Sequence, residues 1–261
     1  MSVPRDILRD NPALDRWCIL HVYRGSIAHG MYVPNSDPLS FDDKDTMAIC
    51  VPPKSHYMGL KEFGSRGTQE IKRNEWDIVV YEARKVMSLL KQGNPNVLSL
   101  LWVNENHIIK NTPSGKMLRE RRDLFVGKHV YRPFVGYAHA QLHKMTACAF
   151  EGYMGEKRKS LVEKFGYDTK NAAHLIRLLR MGIEFLTEGE LYVERHDAAQ
   201  LLEIKRGAWT LEQVKDEANR LFSRAEEAYI NSTLPAQPDA EAISELCVRM
   251  VEYMWKWGGM E

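Results

Sequence analysis

The stretch from Val22 to Pro53 constrains this chain more than any other. It holds a Gly25-Ser26 turn, a polar loop, and then Asp43-Lys44-Asp45 opening an apolar run that ends at Val51-Pro52-Pro53. Residues two apart on a strand share a face. A strand beginning at about Asp43 therefore points the Asp43 and Asp45 carboxylates one way and Lys44 the other. Two carboxylates so close repel each other unless a cation lies between them. A hard divalent ion such as Mg²⁺ prefers oxygen ligands of this kind. Gly25 lets the backbone approach a ligand without a Cβ, so main-chain amides and the Ser26 hydroxyl can meet a phosphate. Paired carboxylates beside a phosphate cradle suggest phosphoryl or nucleotidyl transfer.

The flanking pattern is mixed at first and helical later. Residues 5–20 carry an apolar stripe (Leu8, Leu14, Trp17, Leu20) that predicts a helix, broken or restarted at Asn11-Pro12. Cys18 to Tyr23 reads as the first strand, Ala28 to Tyr32 as a short helical turn, and the Gly-rich residues 54–72 as a mobile loop. Asn74 to Glu82 is rich in β-branched residues and reads as a strand. Helices follow over 83–92, over 96–102 after Asn94-Pro95, and over 112–125 with Thr112 as its cap.

Beyond Pro133 the periodicity is helical throughout, with Gly189 to Arg195 as a short strand or extended connector. One predicted helix carries Lys144 as a polar residue. Another, opening near Asp168, places Lys170, His174 and Arg177 at i, i+4 and i+7, hence on one face suited to a triphosphate. Thr210 and Gln213 form a capping box for a helix to about Tyr229, and Asp239 caps the last helix, to Trp257.

These blocks resemble the polymerase-β-like nucleotidyltransferase superfamily, and within it the RlaP-type proteins. The matching residues are Gly25-Ser26-Ile27-Ala28-His29-Gly30, Pro34-Asn35-Ser36-Asp37, Asp43-Lys44-Asp45, Val51-Pro52-Pro53 and the segment Tyr167-Asp-Thr-Lys170 with His174 and Arg177. The resemblance implies an α+β fold. A small mixed β-sheet nucleotidyltransferase core flanked by helices (1–125) would precede a mainly helical C-terminal domain (126–261). It further implies transfer of an NMP from an NTP to an acceptor hydroxyl with release of pyrophosphate. Two Mg²⁺ ions, with Mn²⁺ as an alternative, would be held by Asp43, Asp45 and Asp77. Gly25, Ser26, Lys170, His174, Arg177 and Lys144 would contact the nucleotide.

The chain departs from the family pattern at Pro38-Leu-Ser-Phe-Asp42, which separates Ser36-Asp37 from Asp43. Either Asp37 or Asp43 can therefore be the first ligand. Asp43 is favoured, because Asp37 precedes a proline and has no carboxylate two residues on. Glu75 shares the strand parity of Asp77 and competes with it for the third carboxylate; Glu82 has the opposite parity and reads as the start of a helix.

Composition narrows the rest. A formal net charge of +1 advertises no nucleic-acid partner. Cys18, Cys50, Cys148 and Cys247 are scattered without metal or disulfide spacing, which fits a reducing cytoplasm. No apolar run is long enough to span a membrane, so a cytoplasmic, membrane-free protein is expected. Two other classes remain as alternatives: a non-catalytic nucleotide-binding or toxin–antitoxin-like module on the same fold, and an RNA or DNA end-modifying enzyme. The motif does not choose the acceptor, the nucleotide base or the oligomeric state.

Overall fold

The computed structural model describes residues 3–34, 36–37, 42–147 and 156–258. Most of the inserted Pro38–Asp42 stretch, together with Asn35 and Cys148, lies outside the described residues. The chain divides into two compact units. One comprises Met1–Ala28, Asp43–Val126 and Pro238–Glu261; the other comprises His29–Asp42 and Gly127–Gln237. The last helix is counted with the first unit, and residues 29–42 with the second.

The first unit opens with α1 (Arg5–Arg9), which is short because the Asn11 carboxamide accepts from Ala13 N at 3.0 Å and turns the chain. The expected helix over 5–20 is thereby reduced to five residues. β1 (Cys18–Tyr23) is fully buried and runs into α2 (Gly25–Ala28). The helical turn expected at 28–32 therefore starts at the glycine instead. β2 (Lys44–Cys50) follows.

The segment 54–72 is no plain loop. It contains a 3-10 turn at Lys54–His56 and an edge strand, β3 (Thr68–Arg73). β3 pairs antiparallel with β4 (Trp76–Glu82). Glu82 caps α3 (Ala83–Lys91) by accepting from Arg84 N, as its parity suggested. Asn94 caps α4 (Pro95–Trp102), β5 is Ile108–Asn111, and Thr112 caps α5 (Pro113–Glu120). A 3-10 turn at Arg122–Phe125 replaces the end of the helix expected over 112–125.

The five strands form one mixed sheet in the order β3-β4-β2-β1-β5. β2 and β4 are parallel, and β1 is antiparallel to both β2 and β5. The sheet's core residues, among them Ile19, Leu20, Ile49, Ile78 and Val80, are fully enclosed. The last helix of the chain, α11 (Ala240–Trp257), seals this unit: Ser114 Oγ donates to Met250 O at 3.1 Å and Trp255 Nε1 to Pro52 O at 3.1 Å.

The second unit is helical: α6 (Tyr131–Ala147), α7 (Glu156–Phe165), α8 (Thr169–Glu188), α9 (Ala198–Lys205) and α10 (Leu211–Asn231). Asp168 caps α8, and Thr210 with Gln213 forms the complete capping box of α10. Residues 189–195 are an extended connector with no strand pairing. A Cβ on Gly182 would lie 3.1 Å from the Phe134 side chain, so glycine lets α8 approach α6 closely. The α+β class read from the sequence therefore holds, with the sheet in one unit and a helical assembly in the other.

Candidate functional site: a carboxylate pair on adjacent parallel strands

Because β2 and β4 run parallel in register, Asp45 stands directly opposite Asp77. Both lie near the start of their strands, where the ladder emerges from the buried core, and their side chains are 25% and 26% exposed. Lys44, one residue earlier, donates to Glu75. That pairing occupies the carboxylate which competed with Asp77 and leaves Asp77 as the partner of Asp45. Asp43 is exposed and sits just ahead of the first paired residue of β2. Asp37 belongs to the other unit and pairs with Arg206 at 3.2 Å.

Arg24 was not singled out in the sequence. Its Nη2 lies 3.7 Å from Asp45 Oδ1 and 3.9 Å from Asp77 Oδ1, and its Nε is buried with no hydrogen-bond partner. These separations exceed a charge-assisted hydrogen bond, so the guanidinium balances the two carboxylates without locking them. The backbone fixes the neighbourhood: Arg24 N donates to Asp45 O at 3.0 Å. Gly25 takes φ +61°, and a Cβ there would sit 2.4 Å from Asp45 Oδ2. Glycine is required both by the left-handed backbone and by the contact. Ser26, the next residue, is buried in α2.

Beneath the pair, His21 Nε2 and Thr46 Oγ1 hydrogen-bond at 2.9 Å between β1 and β2. Burial, aided by the charge of Lys110, pulls the His21 pKa down to about 4. His21 is therefore a neutral structural link and no base for chemistry near neutral pH.

Among the described residues no three Asp, Glu, His or Cys side chains are arranged to hold a metal ion. The trio expected from sequence is a facing pair in the structure, because only Asp45 and Asp77 are held by the strand ladder. The donor set still suits a hard divalent cation, which commonly takes one or two carboxylates and fills its remaining positions with water and phosphate oxygens. The space a Cβ on Gly25 would need is taken by the Asp45 carboxylate, so glycine lets that carboxylate lie against the turn.

In the second unit, Lys170 and His174 on α8 are half-buried, and Lys170 Nζ lies 3.9 Å from Asp42 Oδ1. Asp42 is 2% exposed; it accepts from Val33 N at 2.9 Å and from the Lys205 ammonium. Arg177, three residues beyond His174, is enclosed, with its Nη1 3.1 Å from Met181 Sδ. Burial and then the nearby Arg195 charge pull its pKa down to about 9, against the pull of Asp197. His174 is held well below its usual value by burial and by Arg177 and Lys170. Lys144 is exposed on α6. The helical spacing thus brings the three α8 residues to one side, while packing covers the last of them.

A mixed sheet with acidic residues paired at the start of two parallel strands, next to a Gly-Ser turn, agrees with the polymerase-β-like superfamily that the sequence resembles. The chain belongs to the RNA repair pathway DNA polymerase beta family (RlaP), whose model matches residues 15–249. Among proteins of curated function, none matches the chain. Among the described residues no helix is long and apolar enough to cross a membrane.

Proposed function

We propose that the protein is a divalent-metal-dependent nucleotidyltransferase that moves an NMP from an NTP to an acceptor hydroxyl. The observation that carries this reading is the in-register facing of Asp45 and Asp77, with the Arg24 guanidinium 3.7 and 3.9 Å from them. Asp45 and Asp77 would hold the ion, and exposed Asp43 would join them on loading. When bound, Mg²⁺ or Mn²⁺ polarises the acceptor hydroxyl and neutralises charge on the leaving pyrophosphate. Asp77 accepts the acceptor's proton as its oxygen bonds to the α-phosphorus and the bond to pyrophosphate breaks. Gly25 and Ser26 supply main-chain and hydroxyl contacts to phosphate. In the second unit, Lys170, His174, Arg177 and Lys144 are proposed as phosphate contacts; half-buried Lys170 and His174 are the foremost of them. An RNA end is the acceptor class that the family description favours.

The test is pyrophosphate release from each NTP with Mg²⁺ and a cell-extract acceptor pool. Asp45→Ala should lower turnover at least about a hundredfold, since the catalysis is chiefly charge neutralisation and positioning. Its circular dichroism should match that of the native protein. Native turnover by a folded Asp45→Ala protein would remove the proposal. A second reading, nucleotide binding without turnover, is favoured by Arg24 itself, because a guanidinium already offers positive charge to the pair. Calorimetry showing metal-dependent NTP binding, with no product from any acceptor, would decide for that module.

A further inference from the structure

A second concave site lies in the first unit, at the opposite end of β4 from Asp77. Glu82 stands five steps beyond Asp77 on β4, which is about 16 Å along a strand at ~3.3 Å per residue. There a cavity of about 560 Å³ is lined chiefly by basic side chains, including Lys61, Arg66, Arg84 and Lys85. This volume lies within the range of small-ligand pockets. We infer that the cavity is a binding site for closely spaced phosphate groups, either on a free polyphosphate or at the end of a nucleic-acid strand.

The charges there are unevenly matched. Arg84 is pinned: its Nε lies 3.4 Å from Glu82 Oε1, its Nη2 donates to His56 O at 3.5 Å, and its guanidinium stacks 4.3 Å from the Tyr57 ring centroid. Lys61, Arg66 and Lys85 have no carboxylate within ion-pair distance among the described residues. Of the two acids in the lining, Glu82 is committed to capping α3, and Glu62 is exposed. The positive charge left over has no ion-pair partner among the described residues.

The backbone places one of these cations, Arg66, at a conformational cost. Arg66 takes φ +51°, a left-handed conformation that costs a non-glycine residue about 1 kcal/mol or more. Its turn is tied down: Ser65 N donates to Thr68 O at 2.8 Å, Gly67 N to Phe63 O at 3.1 Å, and Glu82 N to Gly67 O at 3.0 Å. A strained arginine held by a rigid turn is the arrangement expected where a side chain must be presented to a ligand. His56 lines the same cavity, with its ring packed edge-on against Trp17 at 5.6 Å. Multidentate phosphate matches the cations gathered in this lining.

The experiment is titration of the full-length protein in chelator, without divalent metal, using inorganic tripolyphosphate and a 5′-labelled single-stranded RNA. Under these conditions no metal-bridged binding at Asp45 and Asp77 contributes. A failure of nucleotidyl transfer would leave the result untouched, and so would the loss of turnover in Asp45→Ala. The double variant Arg66→Gly/Lys85→Ala should bind about tenfold more weakly than the native protein. Its salt dependence toward RNA should be shallower by about 0.7 per cation removed. Arg66→Gly also relieves the left-handed strain, so the variant keeps its fold, which thermal denaturation checks. Lys91→Ala, an exposed cation outside the cavity, is the control. Weakening toward tripolyphosphate alone identifies a free polyphosphate as the ligand; weakening toward RNA identifies a strand phosphate. Equal affinities for native protein, double variant and control, or no binding of either probe, would overturn the inference.

Discussion

Two charge clusters, one in each unit, are built in opposite ways. In the second unit, Arg195 is fully covered yet saturated: its Nη2 donates to Glu184 Oε1 at 2.8 Å, its Nη1 to Glu184 Oε2, and its Nε to Asp197 Oδ1 at 2.8 Å. Arg180 extends the network to Asp197 at 2.8 Å and to Glu217 at 3.0 Å. Burial pulls the Asp197 carboxyl up, but hydrogen bonds from Arg195 and Arg180 outweigh it and hold it below the usual range. In the first unit, Asp45 and Asp77 share one guanidinium at 3.7 and 3.9 Å and remain a quarter exposed. A fully covered charge cluster closed by short hydrogen bonds contributes order, whereas a pair of carboxylates a quarter exposed to solvent stays within reach of a ligand. That contrast separates an architectural cluster from a working one more reliably than counting charges does.

The largest effect should come from breaking the saturated cluster. Arg195→Met strips the main partner from Glu184 and one of two guanidinium partners from Asp197, and should cost about 3–5 kcal/mol of stability. Urea unfolding followed by circular dichroism measures it. A loss below about 1 kcal/mol would show that this network is no tighter in effect than the pair around Arg24, and the contrast between the units would fail.

Next in size is a pH effect beneath the carboxylate pair. His21 is held near pKa 4 in the folded protein, against about 6.5 when unfolded. Its depressed value means that the unfolded chain binds the extra proton first. Stability is therefore complete above about pH 6.5 and falls as pH drops toward 4. Linkage puts the loss from this one group at roughly 2–3 kcal/mol between pH 7 and pH 4.5. His21→Gln, which can keep a hydrogen bond to Thr46, should flatten that part of the stability profile. An unchanged slope would assign the acid sensitivity elsewhere.

Much of this was legible in the sequence, for local reasons. The β-branched run after Asn74 and the buried run after Asp43 named β4 and β2, and the caps at Asn94, Asp168, Thr210 and Asp239 fixed four helix starts within a residue. β3 was hidden because Thr68–Arg73 carries a single large aliphatic residue, Ile71; a polar edge strand resembles a loop until its partner is known. The register that sets Asp45 against Asp77 is a long-range property of parallel pairing, so composition gave their face but not their opposition. Arg24 carried no signal beyond preceding Gly25. The burial of Arg177 followed from helix packing in the second unit, which spacing on one helix cannot report.

The smallest expected effect tests the incomplete cluster itself. Arg24 holds its two carboxylates at distances where an exposed ion pair contributes between zero and about 1 kcal/mol. Arg24→Gln should therefore leave the urea midpoint nearly unchanged. It should instead tighten Mn²⁺ binding at the pair, by less than about tenfold, because a competing positive charge has been removed while both carboxylates and Gly25 stay in place. Titration followed by electron paramagnetic resonance reads the free ion directly. Weaker Mn²⁺ binding would make the guanidinium an organiser of the pair and not a counter-charge. A stability loss as large as that of Arg195→Met would place Arg24 with the architectural charges, and the distinction between the two clusters would rest on geometry without energetic consequence.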